Sequence, residues 1–277
     1  MRGRVIAVLL CLCAATAQAD QTKINSETDA EARARLMAGA DATVKDIIDG
    51  DTVVIAPPIT GAAQVRLVGI QAPKLALGRK GFKPWPKAAQ SKYALDAMTR
   101  GRHVRLYFGG SRMDRHGRHL AHLFLDDGRW VQGEMLRAGM ARVYTFPDNR
   151  AVVPAMLERE REARARGRGI WALDFYKPRP ADATALLREL GTFQLVEGRV
   201  LKATRVKGRI YLNFGENWRD DFTATLNARA ARLFTPVDLA PARLEGRNVR
   251  VRGWLKKRNG PMIAITHPEQ IEVLAWK

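Results

Sequence analysis

The sequence predicts a mainly β chain with helices, an α+β fold made of two successive small barrels. Three observations predict it: short strand-like runs punctuated by Gly, Asp and Asn turns, an order of three strands, a helix and two strands in the first half, and a return of that order in the second. At 277 residues the chain is long enough for one large domain or two small ones, each with its own core. Hydrophobic residues make up 46% and aromatics 7%, ordinary values for a folded chain, which argues against global disorder.

The elements follow in order. Thr43 to Ile48 reads as a strand, Asp49-Gly50 as a hairpin turn, and Thr52 to Ala56 as the returning strand. Gln64 to Ile70 is a third strand, ended by Pro73, and Lys74 to Pro86 is a loop rich in Gly, Pro and Lys. Ala88 to Thr99 has helical spacing and stops at Gly101. His103 to Phe108 and Arg118 to Leu125 are the fourth and fifth strands. Val131 to Ala138 is a helix stopped by Gly139, and Val152 to Arg166 a charged helix with Glu160–Arg164 and Glu162–Arg166 at i,i+4 spacing. Three strands, a helix and two strands are the order of an OB barrel. Phe193 to Leu201, Arg209 to Phe214, Asp221 to Asn227, a short helix Ala228 to Phe234, Asn248 to Leu255 and Met262 to Ile265 repeat it. Gly101-Arg102-His103-Val104-Arg105-Leu106 is echoed by Gly246-Arg247-Asn248-Val249-Arg250-Val251.

The N-terminus reads as a secretory signal peptide over 1–19. Arg2 and Arg4 form the positive region, Val5 to Thr16 the apolar region, and Ala17-Gln18-Ala19 the small-residue cleavage site. Both cysteines, Cys11 and Cys13, lie inside it, so the mature chain has no disulfide, thiol nucleophile or Cys-ligated metal, and no membrane span follows the signal. The expected destination is exported, periplasmic or secreted. The expected organisation is a polar leader without strand pattern over 20–42, a first barrel over 43–176, a Pro-containing linker over 177–191 and a second barrel over 192–277.

The formal net charge is +19, and Lys and Arg recur along the whole chain. Such a field concentrates polyanions and speeds their encounter. Nucleic acid is the leading partner; an anionic membrane surface or envelope polymer satisfies the same electrostatics.

Two stretches are more specific. Ile48-Asp49-Gly50-Asp51-Thr52-Val53 with Val65-Arg66-Leu67-Val68-Gly69-Ile70-Gln71-Ala72-Pro73, and Asp114-Arg115-His116-Gly117-Arg118 with Leu120-Ala121, resemble the staphylococcal nuclease (thermonuclease) family from about Thr43 to Trp171. The resemblance implies a nuclease-type OB barrel, hydrolysis of DNA or RNA phosphodiesters, and one calcium ion. It places Asp51 at the first calcium-ligating aspartate and Arg66 and Arg118 at the two phosphate-binding arginines. Arg suits that role, because its planar fork bonds phosphate oxygens bidentately and stays charged. Two positions depart from the pattern. Gln71 stands where the family has its second calcium-ligating aspartate, and Lys74 where it has its general-base glutamate. Ala72 replaces a threonine that ligates through its backbone carbonyl, a lesser change. Calcium binding is therefore expected to be weak or absent, with Asp51 the one retained side-chain ligand. Lys74 adds positive charge for phosphate.

Other candidates are less specific. Tyr144 and Phe146 sit where the family places aromatics beside the bound base; stacking on a nucleotide and core packing are equal readings. The loop 75–87 interleaves Arg79, Lys80, Lys83 and Lys87 with Phe82 and Trp85, a pattern that suits single strands or a solvated loop. His116, His119 and His122 are spaced by three, which on a strand alternates faces, so strand histidines are favoured over a metal face. In the second unit Arg199, Lys202, Arg205, Lys207 and Arg209 line a hairpin. Lys256-Lys257-Arg258 makes a basic tip, with Trp218 and Trp254 nearby in sequence. Glu216 and Asp220-Asp221 read as a turn rather than a cation site.

Three functions remain open on the sequence. The leading one is a monomeric protein binding DNA or RNA, single strands or short ends, with weak or lost hydrolysis. The others are an active metal-dependent phosphodiesterase with a rearranged site drawing on Asp49, Asp51, Asp114 or a histidine, and a basic cell-envelope module using charge alone.

Overall fold

The structure, a computed structural model, describes residues 29–234 and 240–274. The signal-peptide reading over 1–19 and the leader as far as residue 28 lie outside the described residues. The chain divides into two compact units, the first ending at Ile170 apart from 145–147, and the second comprising 145–147 and 171 onward.

The first unit opens with a helical segment, α1, over 29–34. The strands that follow are β1 (Met37–Asp49), β2 (Thr52–Ile59), β3 (Ala62–Leu67) and the short β4 (Ile70–Gln71). Helix α2 (Ala88–Thr99) leads to β5 (His103–Phe108) and β6 (His119–Leu125). Helix α3 (Val131–Arg137), β7 (Arg142–Val143) and α4 (Val153–Ala165) complete the unit. β1, β2, β3, β6 and β5 close into a barrel, with β3 and β6 parallel. Alternation puts Val44, Val53, Val65, Leu67, Val104, Leu106, Ala121 and Leu123 inside, all fully buried.

Two expectations need correction here. The leader was expected to run to residue 42 without strand pattern, yet β1 starts at Met37. Residues 37–42 lack an apolar alternation, but they pair with β5 (Met37↔Phe108, Asp41↔Arg105), and Asp41 and Arg105 form an ion pair at 2.6 Å. Ladder bonds supply what the side-chain pattern does not advertise. The third strand was expected to run on to Ile70. It stops at Leu67 because Gly69 adopts φ +84°, a conformation open to glycine, and Ile70–Gln71 turn away to pair with β7.

The second unit holds β8 (Arg179–Pro180), α5 (Ala183–Leu187), β9 (Phe193–Arg199), β10 (Lys202–Val206), β11 (Arg209–Asn213), β12 (Thr223–Leu226), α6 (Ala228–Ala231), β13 (Asn248–Arg258), β14 (Gly260–Ile265) and β15 (Ile271–Val273). The stretch 177–191, expected to be a linker, is therefore structured. β8 pairs with β9, Asp182 caps α5 by accepting the Ala185 N–H at 3.0 Å, and Leu186 is buried in the second core. Elements of two and five residues are too short to show periodicity.

β9 and β10 follow one another with only Val200 and Leu201 between them. With them joined, the pairings run β10–β11–β12–β14–β13–β9, antiparallel except for β12 and β14. The first barrel has the same order of pairings, with β3 and β6 as its parallel pair. The sequence echo falls at equivalent places in the two orders of pairing. Gly101 (φ +72°) and Gly246 (φ +77°) each stand two residues before a strand: β5, which pairs with β1 and β6, and β13, which pairs with β9 and β14.

Candidate functional site

The β1–β2 turn brings Asp49 and Asp51 to the mouth of the first barrel. Gly50 is required by close approach: a Cβ there would lie 2.0 Å from Ser91 Oγ and 2.7 Å from Ala72 Cβ. Ser91 is itself held by α2 and donates to the Met140 carbonyl at 2.7 Å. The turn is thus pressed between α2 and the segment after β4.

Asp51 is fully buried. Its Oδ2 accepts the Ala72 N–H at 2.7 Å and the Lys74 ammonium at 2.8 Å, and pairs with Arg66 at 3.2 Å. Burial pushes its pKa up, but the Arg66 guanidinium, the Lys74 ammonium and the Ala72 N–H outweigh it and hold the carboxyl down at about 2. Asp49 accepts the Asp51 N–H at 3.2 Å and lies 3.8 Å from Lys74. Its pKa is raised, first by burial and then by the charge of Asp51.

Arg66 also donates to the carbonyls of Asp51 (3.1 Å), Leu67 (2.6 Å) and Ile70 (2.6 Å), which sets the path of the chain from β3 into β4. Arg118 lies just before β6. The register Arg66↔Leu120 puts Arg118, two residues earlier, on the same outer face as Arg66. Its partner is Asp114, at 2.7 Å across the turn. The Asp114 carboxyl is held low despite burial by the backbone and side-chain N–H groups of Arg118. The Asp51 carboxylate is sealed, while the side chains of Lys74, Arg66 and Arg118 keep 24%, 13% and 28% of their surface open to solvent.

Gln71 is buried, and its Oε1 accepts two bonds from Arg142, at 2.9 and 2.7 Å across the β4–β7 pair. Arg142 was not singled out by the sequence, because only the pairing of two short strands brings it to Gln71. It also stacks 5.5 Å from the Trp85 ring, and Trp85 donates to the Lys74 carbonyl at 2.9 Å.

The remaining candidates scatter. Tyr144 is half-buried, and its N–H donates to Gly69; Phe146 is exposed. His116 is exposed in the turn, and its N–H donates to Asp114. His119 faces inward and bonds the Ile59 carbonyl at 2.8 Å. His122 is buried against Trp130, and burial drops its pKa to about 3, so the ring is uncharged at neutral pH. In the loop, Arg79 stacks on Phe82 at 3.7 Å, while Lys80 and Lys83 are exposed. In the second unit, Trp218 and Trp254 are exposed, Arg219 lies over the Trp218 ring, and the basic hairpin forms from β10 and β11.

Residues 64–173 match the family model described as staphylococcal nuclease homologue. A thermonuclease of Staphylococcus intermedius is 30% identical over 133 residues, 48% of this chain and 77% of that protein. The chain belongs to the staphylococcal nuclease family. An uncharacterized endonuclease of Escherichia coli O157:H7 is 31% identical over 138 residues, 50% of this chain and 80% of that protein. A probable staphylococcal-like nuclease of Oryza sativa subsp. japonica is 33% identical over 109 residues, 39% of this chain and 29% of that protein.

Nucleases of this family depend on calcium in general, and the donor set here does not fit that ion. Oδ2 of Asp51 already takes two donors and the Arg66 charge at 3.2 Å, and Oε1 of Gln71 takes two bonds from one guanidinium. Two unit charges 4 Å apart repel by about 4 kcal/mol at an effective dielectric near 20, and a divalent ion beside the Lys74 ammonium doubles that. Among the described residues no group of three or more His, Cys, Asp or Glu side chains could hold a metal elsewhere.

Proposed function

We propose that the protein binds nucleic-acid phosphodiesters on the outer face of β3 and β6, and hydrolyses them weakly or not at all by the family's calcium route. The observation that carries this reading is the pairing of retained arginines with a lost base. Arg66 and Arg118 share one face, while the general-base position holds Lys74, whose ammonium donates to Asp51 at 2.8 Å. An ammonium at that place has no lone pair with which to take a proton from water.

The chain's own groups account for binding. Phosphate oxygens reach the solvent-open edges of Arg118, Lys74 and Arg66, and the net charge of +19 raises the encounter rate with any polyanion. The N-terminal pattern Arg2 to Ala19 supports export, which places the encounter outside the cytoplasm.

The test is incubation of the protein with single-stranded DNA and RNA in calcium, magnesium, manganese or EDTA, alongside binding of a short 5′-phosphorylated oligonucleotide. Expected are binding without appreciable cleavage and a loss of at least about tenfold in affinity, or ~1.4 kcal/mol, for Arg66→Ala with Arg118→Ala. EDTA-sensitive cleavage abolished by Asp51→Ala rejects the reading in favour of an active nuclease with a rearranged site. Unchanged affinity in the double variant shifts it to diffuse charge, the envelope-module alternative.

A further inference from the structure

We propose that the Lys74 ammonium is a resident cation that takes the place of a divalent metal at Asp51, making this site independent of metal. A divalent ion there would need the oxygens of Asp51, and the ammonium already holds one of them: Nζ of Lys74 is 2.8 Å from Oδ2 of Asp51 and 3.8 Å from Asp49, and its side chain is partly open while that of Asp51 is sealed.

The lysine is held there from both ends. The buried Pro73 precedes it, and the carbonyl of Lys74 itself accepts the Trp85 N–H at 2.9 Å. Trp85 is backed by Arg142, which also occupies Oε1 of Gln71, the other oxygen a metal would need. The two departures from the family pattern thus act together. Gln71 loses its charge and is claimed by Arg142; Lys74 brings a charge and claims Asp51. An ammonium has three N–H donors. One is spent on Oδ2, and the others face Asp49 and solvent, where a phosphate oxygen can accept one. That last contact rests on the phosphodiester-binding reading above; the exclusion of metal does not.

Three forms of the full chain test it: the wild type, Lys74→Glu, and Gln71→Asp with Lys74→Glu. Each is followed by circular dichroism, by thermal unfolding in EDTA or millimolar calcium, and by tryptophan-sensitised terbium luminescence. The wild type is expected to show the same Tm in calcium and EDTA and no saturable terbium signal. The double variant is expected to bind terbium, and calcium to raise its Tm by several degrees. A calcium-dependent Tm rise in the wild type overturns the proposal, as does a folded double variant that ignores both ions. Should the double variant not fold, Lys74→Glu alone decides on the same two readouts. Wild-type affinity for a 5′-phosphorylated oligonucleotide is expected to agree within about twofold in calcium and EDTA, and a loss beyond about tenfold in EDTA overturns the proposal. Absence of oligonucleotide binding in either buffer sinks the functional reading above and leaves the metal result standing.

Discussion

Asp49 and Asp51 are two residues apart, both buried, and opposite in electrostatic character. Asp51 is surrounded by donors and stays charged; Asp49 is desolvated beside that charge, and its pKa is raised. Removing a charge from a satisfied pair leaves Arg66 and Lys74 without their anion, whereas removing it from Asp49 relieves repulsion. Asp51→Asn is therefore expected to lower stability at pH 7 by about 3 kcal/mol. Asp49→Asn, which keeps the acceptor for the Asp51 N–H, is expected to be neutral or stabilising. Urea unfolding of both variants checks the contrast, and equal losses contradict it.

His122 gives a second prediction at this scale. Its folded pKa, about 3, lies below the ordinary 6.5, so the unfolded chain takes up a proton that the folded chain refuses. The stability this neutral ring contributes is present above pH 6.5 and is lost progressively as the pH falls toward 3. His122→Leu is expected to flatten the pH dependence of unfolding free energy between those limits. An unchanged acid limb counts against a buried neutral ring.

Among the elements, the β1–β2 turn has little freedom, wedged between α2 and Ala72. Gly50→Ala forces a methyl into Ser91 and Ala72, and is expected to cost about 1–3 kcal/mol, read as a fall in Tm. It is also expected to weaken the Asp51–Lys74 contact, because the turn carries Asp51. α1 is fastened differently. Asp29 accepts the Trp130 N–H at 3.0 Å and pairs with the buried Arg159, which stacks 4.7 Å from the Trp130 ring. Here a segment read as leader is tied to the start of α3 and the middle of α4. The i,i+4 pairs expected on α4 are present at unequal strength: Glu160–Arg164 at 3.2 Å on a buried carboxylate, Glu162–Arg166 at 4.0 Å in solvent. The second is worth a few tenths of a kcal/mol at most.

Over the whole molecule, charge acts on top of the site. The field of +19 attracts a polyanion without reading it, and each phosphate neutralised releases counterions. The affinity for long single-stranded DNA is therefore expected to fall linearly with salt on a log–log scale. Arg66→Ala with Arg118→Ala is expected to make that slope shallower by roughly 1.4 while binding persists, since each phosphate contact on a single strand contributes about 0.7. A slope unchanged within error places the contacts elsewhere. No helix among the described residues is long and apolar enough to cross a membrane.

The sequence by itself determined which residues become strands and helices through most of the chain, and where the barrel motifs fall. α2 and β5 have the bounds their patterns predict, because an apolar face repeating every two residues or every 3.6, closed by a glycine, is a local signal. It also singled out Asp51, Arg66, Gln71, Lys74 and Arg118 as candidates. Only the tertiary structure decided what those residues do to one another. Lys74 turns inward to Asp51, Arg142 captures Gln71 from 71 residues away, and the unpatterned residues 37–42 and 177–191 find partners in β5, β9 and the second core. The reason is physical: a buried charge takes whichever counter-charge the folded chain brings within reach, and a ladder bond needs a backbone opposite it, and neither leaves a periodic trace along the sequence.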